Sequence, residues 1–215
     1  MKLYSYFRSS AAYRVRIALN LKGLDYETVS VHLLKDGGQQ NSEAYLALNP
    51  TRLIPTLVDG EHAIAQSMAI LEYLEETHPE PALLPADPVG RARVRAIAQT
   101  IACDIHPLNN LRVLKHLKRE LGVDDETKDA WYRHWINVGL TSLEAMLAGN
   151  PATGRYCHGD QVTLADVLLV PQVYNARRYD CDLTAMPTVV RIAEACSQLD
   201  AFAQAEPARQ PDAES

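Results

Sequence analysis

The stretch RSSAAYRVRIAL, residues 8–19, decides the fold near the start of this 215-residue chain. Residues 2–6 before it alternate with period two, and the apolar residues after Tyr13 recur at helical spacing. This pattern predicts a strand that leads directly into a helix. Ser9 and Ser10 stand at the junction, where a serine is a common N-cap. A helix N-terminus also offers unpaired N–H groups and a partial positive charge that suit an anion or a thiolate.

The residues that follow extend this alternation of strand and helix to about residue 78. We predict a strand at residues 26–32, a helix at 42–48, a hairpin at 56–64 and a helix at 68–74. The hairpin turns at Asp59-Gly60, a strong turn dipeptide, and Ser67 is the candidate N-cap of the last helix. The order β-α-β-α-β-β-α describes a small α/β domain over residues 1–80.

Four prolines between residues 79 and 88 mark a domain boundary. Beyond them we find no convincing strand and predict an all-α domain over residues 88–207, with residues 208–215 as a tail outside the core. The helical patterns cover residues 91–117, 126–147, 164–178 and 188–199. Thr163 and Asp166 form a capping box for the third of these helices, to which we assign a structural role only.

Composition and charge narrow the possible functions. The chain has 47% hydrophobic and 22% charged residues, the balance of an ordinary globular protein. Its net charge of -6 argues against binding nucleic acid. No apolar run approaches the ~20 residues that span a bilayer, and no signal peptide is evident, so we expect a cytoplasmic protein without a membrane partner. Four cysteines without a CxxC pair predict neither a metal site nor disulfides.

Several short motifs occur in order along essentially the whole chain. They are SSAAYRVRIAL (9–19), KDGGQQ (35–40), LNP (48–50), IPTL (54–57), QS (66–67), ILEYLEE (70–76), LLP (83–85), DIHPLNN (104–110), TLAD (163–166), VPQV (170–173) and RQPD (209–212). Together these motifs resemble those of the zeta class of glutathione transferases, and within that class the chain is most similar to maleylacetoacetate and maleylpyruvate isomerases.

The resemblance implies the glutathione transferase fold, with a thioredoxin-like α/β N-terminal domain and an all-α C-terminal domain, and a homodimer. It also implies how glutathione binds. Ser9 and Ser10 would flank the sulfur, and Gln40 would lie near the glycyl end. Ile54, before a cis Pro55, would bond the cysteinyl backbone, while Gln66 and Ser67 would hold the γ-glutamyl end. His106, Asn109 and Asn110 would border glutathione and substrate.

The implied reaction is the cis–trans isomerisation of a maleyl keto acid to its fumaryl form. The glutathione thiolate adds to the double bond, the new single bond rotates, and elimination regenerates glutathione as a cofactor. Ser9 and Ser10 are the catalytic candidates, because a hydroxyl bond and the helix dipole together suffice to lower the thiol pKa by about two units. The substrate carries carboxylates, which makes Arg8 and Arg178 the candidate substrate-binding residues.

Three points stay open from the sequence. The family signature usually has a cysteine where this chain has Ala11. Maleylacetoacetate, from tyrosine degradation, and maleylpyruvate, from gentisate breakdown, share the maleyl carboxylate and are not distinguished. Two alternative functions also remain: a general glutathione transferase that conjugates electrophiles, against which the arginines argue, and a non-catalytic binding protein, against which the intact serines argue.

Overall fold

The computed structural model describes residues 1–214 and divides the chain into two compact units. The first comprises Met1–Leu83 together with the segment from Gln198 onward, and the second comprises Leu84–Ser197. The boundary after Leu83 lies within the predicted proline-rich linker. The return of the C-terminal segment to the first unit was not predicted.

The first unit contains a four-stranded mixed sheet in the order β2-β1-β3-β4, as in a thioredoxin-like domain. Its elements are β1 (Lys2–Ser5), α1 (Ser10–Leu21), β2 (Glu27–Ser30), α2 (Glu43–Leu48), β3 (Thr56–Asp59), β4 (His62–Ala65) and α3 (Ser67–Thr77). β1 and β2 pair in parallel, whereas β1 with β3 and β3 with β4 pair antiparallel. The predicted element order is confirmed, and the hairpin turns through Gly60, whose φ of 57° suits glycine.

Helix α1 forms the centre of the first unit. All of its residues from Ser10 to Leu19 are buried, including Arg14 and Arg16. A helix buried on every side lies in a core rather than at a surface. The Arg16 guanidinium, fully buried, donates hydrogen bonds to Ser5 Oγ at 3.2 Å and to the Phe7 carbonyl at 3.1 Å.

The second unit is helical, as predicted. It contains α4 (Pro88–Gln99), α5 (Leu111–Arg119), α6 (Asp125–Leu147), α7 (Leu164–Arg178) and α8 (Pro187–Ser197). The single helix predicted over residues 91–117 is wrong, because a π-helical segment (Thr100–Ile105) and a 3-10 turn (His106–Asn109) separate α4 from α5. Pro107 has no N–H to donate to the preceding turn, which favours a break in the helix there. None of the helices in residues 1–214 is long and apolar enough to cross a membrane.

The capping box at the start of α7 is confirmed. The Asp166 carboxylate is fully buried and accepts hydrogen bonds from the backbone N–H of Thr163 and of Cys157, both at 2.8 Å. Burial raises the pKa of this carboxyl group, while the two backbone bonds oppose the shift. The role of Asp166 is therefore to fix the helix start and the preceding loop.

The C-terminal segment contains α9 (Asp200–Ala205) and packs against α1. Arg16 Nε donates to the Ala205 carbonyl at 3.0 Å, and Asn20 Nδ2 donates to the Ala201 carbonyl at 3.0 Å. Further along, Asp212 Oδ2 accepts the Phe7 N–H at 3.0 Å. In the structure the segment from Gln198 onward thus joins the first unit, whereas the sequence predicted residues 88–207 as the helical domain and 208–215 as a tail outside the core. Ser215 lies outside the described residues.

Replacing Arg16 tests how strongly its hydrogen bonds to the C-terminal segment and to the end of β1 stabilise the folded chain. We expect Arg16→Ala to lower the free energy of unfolding by about 3–5 kcal/mol, because the buried Ser5, Phe7 and Ala205 oxygens lose their shared donor. Urea denaturation followed by circular dichroism measures the change, with the exposed Arg119→Ala as the control. A loss below about 1 kcal/mol, the size of an exposed ion pair, would contradict the assignment.

Candidate functional site

The strand register brings three predicted segments to one end of the sheet. Tyr4 pairs with Thr56, and Thr56 pairs with Ala65. The residues after β1, before β3 and after β4 must therefore lie close together. These segments contain the predicted pairs Ser9-Ser10, Ile54-Pro55 and Gln66-Ser67.

A buried arginine that the sequence analysis did not single out joins two of these segments. Arg14 Nη1 in α1 donates to Ser67 Oγ at the start of α3, at 3.2 Å. The sequence contained a signal for this contact, namely an arginine on a helix whose other residues are mostly apolar. Such an arginine is expected to be buried, and a buried guanidinium requires polar partners. Arg14 thus holds the N-terminal ends of α1 and α3 together.

Ser9 is the N-cap of α1, and its Oγ accepts the Ala12 N–H at 3.2 Å. Capping uses the hydroxyl oxygen and leaves the hydroxyl hydrogen available for donation. Ser10 is the first helical residue and is buried, whereas Ser9 is partly exposed. No acidic residue lies in the first turn, so the partial positive charge of the helix end is not neutralised there.

The peptide bond between Ile54 and Pro55 is cis, as the resemblance implied. The turn before it is fixed by Tyr45 Oη and Asn49 Nδ2, which donate to the Leu53 carbonyl at 2.6 and 2.8 Å. Within residues 1–214, neither the N–H nor the C=O of Ile54 is hydrogen-bonded. These two groups can therefore bond an extended peptide backbone.

The start of α3 corrects the prediction that Ser67 is its N-cap. The N-cap is Gln66, which has φ 72° and ψ 120°, and its side chain makes no capping bond. A non-glycine residue at positive φ is uncommon, and such strained residues cluster at ligand sites. The helix N-terminus carries no acidic residue in its first turn and suits an anion.

Gln40 and Arg8 belong to the same unit. Gln40 is buried, and its Oε1 accepts no hydrogen bond from any residue within 1–214. Arg8 is partly exposed, lies over the Phe7 ring at 4.8 Å and has Nη2 3.9 Å from Glu214 Oε2. Gln40 thus has a buried oxygen that can accept a hydrogen bond from a ligand, and Arg8 carries a positive charge at the protein surface.

The other predicted glutathione contacts lie in the second unit, around the 3-10 turn. His106 begins this turn, and the buried Asn109 donates from Nδ2 to the Tyr132 carbonyl at 3.4 Å. The Oδ1 of Asn109 accepts no bond from the described chain. Asn110 is the N-cap of α5, and its Oδ1 accepts the Arg112 N–H at 3.1 Å. The Oδ1 of Asn109 is therefore available to accept a hydrogen bond from a ligand, whereas the Oδ1 of Asn110 is used to cap α5.

Arg178 ends α7 and is exposed, but its orientation is restricted. Its guanidinium lies 4.9 Å from the Tyr179 ring centre and interacts electrostatically with Tyr132. The Tyr132 and Tyr179 rings stack 3.7 Å apart, and burial raises the Tyr132 pKa far above its usual value. No role was predicted for Tyr132 from the sequence, although the aromatic residues within 131–135 could have indicated a packed cluster.

Comparisons with known proteins show which family the chain is similar to. The family model for the N-terminal domain of glutathione S-transferase matches residues 3–82. The chain is 54% identical to a probable maleylacetoacetate isomerase of Vibrio cholerae (98% of this chain, 97% of that protein) and 51% identical to a maleylpyruvate isomerase of a Ralstonia species (99% of each).

Solved structures give the same result. The holo structure of a maleylpyruvate isomerase, described as a bacterial zeta-class glutathione S-transferase, has a TM-score of 0.97 at 50% identity, with both chains fully covered. A maleylacetoacetate isomerase of Methylobacterium extorquens with bound malonate and glutathione has a TM-score of 0.96 at 44% identity, again with both chains fully covered. Full-length similarity at this level, together with the shared fold, shows that the chain belongs to the zeta class of glutathione transferases, the family of the maleylacetoacetate and maleylpyruvate isomerases.

Proposed function

We propose that the chain is a glutathione-dependent cis–trans isomerase of a maleyl keto acid, maleylacetoacetate or maleylpyruvate. The observation that carries the proposal is the convergence at one sheet end of a serine-capped helix, the free backbone groups of Ile54 and the N-terminus of α3. Relatives named for both substrates are about equally similar to it, so the proposal covers both.

The residues present fit glutathione part by part. Ile54 offers one donor and one acceptor to the cysteinyl backbone, next to cis Pro55. Gln66 and Ser67, at the N-terminus of α3, suit the γ-glutamyl carboxylate. The unused Oε1 of Gln40 fits an N–H donor at the glycyl end. His106, Asn109 and Asn110 remain proposed contacts, and the free Oδ1 of Asn109 favours that residue.

Bound glutathione would supply a thiol whose thiolate form adds reversibly to a conjugated double bond. Ser9 stabilises that thiolate by donating its hydroxyl hydrogen while its oxygen keeps the Ala12 bond. A hydrogen bond to a charged group contributes roughly 1.5–3 kcal/mol and the helix end about 1 kcal/mol. Their sum covers the ~2.7 kcal/mol that lowers a thiol pKa by two units. Ser10, buried in the first turn, supports the helix start.

Two arginines suit the carboxylates of the substrate. Arg178 presents a planar guanidinium whose direction is fixed by Tyr132 and Tyr179. Arg8 is paired only over 3.9 Å with an exposed glutamate, a weak interaction that a substrate carboxylate can replace. In a relative from Anaeromyxobacter dehalogenans the active site holds dicarboxyethyl glutathione and citrate, which are also polycarboxylates.

We also propose a homodimer, as the family resemblance implies. Val89 on α4 and Val138 on α6 are exposed apolar side chains of the second unit that a partner subunit could cover. Sedimentation at micromolar concentration distinguishes a dimer from the 23.9 kDa monomer.

The isomerase is tested by following total thiol during turnover. We expect the maleyl compound to convert to the fumaryl form only when glutathione is present, with total thiol unchanged over many turnovers, because elimination returns the cofactor. Chromatography of the products and a thiol titration measure both quantities. Loss of one thiol per product would instead indicate a conjugating transferase, and the absence of turnover would indicate a binding protein.

The matched pair Ser9→Ala and Ser10→Ala tests the thiolate assignment. Removing the Ser9 hydroxyl should raise the pKa of bound glutathione by about one to two units, since each unit corresponds to 1.36 kcal/mol. The rate's pH profile should move upward by the same amount, while Ser10→Ala leaves the thiolate pKa near wild type. Ultraviolet titration of the bound thiolate gives the values. Equal pKa values of bound glutathione in wild type and Ser9→Ala would show that Ser9 does not stabilise the thiolate.

Arg178→Ala tests substrate recognition separately from glutathione binding. We expect kcat/KM for the maleyl substrate to fall by a factor equivalent to about 2–3 kcal/mol, because a charge-assisted bond to the carboxylate is lost. The KM for glutathione should remain near wild type. Arg177→Ala, which removes the neighbouring guanidinium paired with Glu194 at 3.4 Å, is the control. A parallel loss of glutathione affinity would assign Arg178 to a different site.

A further inference from the structure

One carboxylate near the C-terminus contacts the loop that carries Gln40. Glu214 Oε1 lies 3.1 Å from His32 Nε2 and 2.8 Å from Lys35 Nζ. These bonds lower the pKa of the Glu214 carboxyl group, Lys35 having the larger effect, which keeps it ionised at neutral pH. Two residues earlier, Asp212 Oδ2 accepts the Phe7 N–H at 3.0 Å and the Ser30 hydroxyl at 3.2 Å. The C-terminal segment is therefore fixed at two points beside the loop.

His32 organises this loop from its first residue. Its Nδ1 accepts the backbone N–H groups of Leu34 and Lys35, at 3.1 and 2.9 Å. An Nδ1 that accepts two bonds carries no proton, so the ring hydrogen is on Nε2 and donates to Glu214. The His32 backbone N–H donates to Gln39 Oε1 at 2.8 Å, and its carbonyl accepts the Gln39 N–H at 2.8 Å.

This bonding closes the loop directly before Gln40. The His32 ring is itself buried and packs edge-on against Tyr6 at 4.9 Å, so its position is fixed from the core side as well. Gln39 is bonded to His32 through both backbone and side chain, and Gln40 follows it with a buried, unused Oε1. The His32 backbone thus holds Gln39, directly before Gln40, while the His32 ring and, through Nε2, Glu214 hold the start of the same loop at Leu34 and Lys35.

We propose that Glu214 and His32 are positioning residues of the glutathione site, which they hold by fixing the loop that presents Gln40. The inference rests on the proposed function, in which Gln40 contacts glutathione. It adds that the C-terminal carboxylate forms part of the binding apparatus without touching the ligand. Neither residue takes part in the chemistry at the sulfur, so their loss acts on glutathione affinity rather than on the turnover of the saturated enzyme.

The first test measures binding of S-methylglutathione, which cannot react, by calorimetry on the full chain. Glu214→Ala should weaken binding about threefold to tenfold, because its contacts with His32 and Lys35 are lost. The kcat at saturating glutathione and the KM for the maleyl substrate should stay within about twofold, since the long Arg8–Glu214 pair contributes little. Glu206→Gln, which alters a carboxylate of the same segment with no hydrogen bond or ion pair among residues 1–214, is the control.

Two substitutions of His32 separate its two contacts. His32→Asn keeps an acceptor near the Nδ1 position for the Leu34 and Lys35 N–H groups but loses the donor to Glu214. We expect it to weaken binding no more than Glu214→Ala, which also loses the Lys35 contact, and we expect the double variant to be no weaker than Glu214→Ala, because both lose the His32–Glu214 bond. His32→Leu removes both contacts and should weaken binding further.

The outcomes distinguish the two proposals. If the wild type binds S-methylglutathione and all three single variants bind it within twofold of that affinity, the positioning role is wrong and the proposed function stands. Fully additive losses in the double variant would also overturn it, since the two residues would then act independently. If the wild type does not bind the probe at all, the proposed function fails, and the positioning role with it.

Discussion

The buried guanidinium of Arg16 is the constraint on which the first unit depends. Burial lowers its pKa to about 10, with Tyr26, Tyr13 and Asp212 opposing the shift, so the group remains charged at neutral pH. A charge without water requires polar partners on every side, and here they are the oxygens of Ser5, Phe7 and Ala205. One side chain thus joins the end of β1 to the C-terminal helix.

This bond also fixes the candidate site, because Phe7 precedes the residues that begin α1. The backbone at Phe7 is held by Arg16 through its carbonyl and by Asp212 through its N–H. Arg8 and Ser9 follow on a chain that has little freedom to move. A preorganised hydroxyl at a helix end can stabilise a thiolate without reorganisation, which is the physical reason to place the chemistry there.

The departure at Ala11 has a local explanation that leaves the proposed chemistry intact. Ala11 is 8% exposed in the first turn of α1, so a small apolar side chain fits its surroundings. With alanine at this position the Ser9 cap and the Arg14 bond to Ser67 are both formed. The activity proposed for this chain therefore requires no protein thiol.

The sequence by itself determined the element order of the first unit and the capping box at Thr163 and Asp166, because these depend on local periodicity and on side chains a few residues apart; the roles assigned to the site residues stay predictions. It did not determine that residues 91–117 break at the 3-10 turn, that Gln66 rather than Ser67 caps α3, or that the C-terminal segment joins the first unit. The return of the C-terminal segment depends on contacts between residues distant in the chain, such as Arg16 with Ala205, 189 positions apart. Only the tertiary structure brings such partners together, because apolar neighbours in the sequence can indicate a buried arginine but cannot identify the distant oxygens that pair with it.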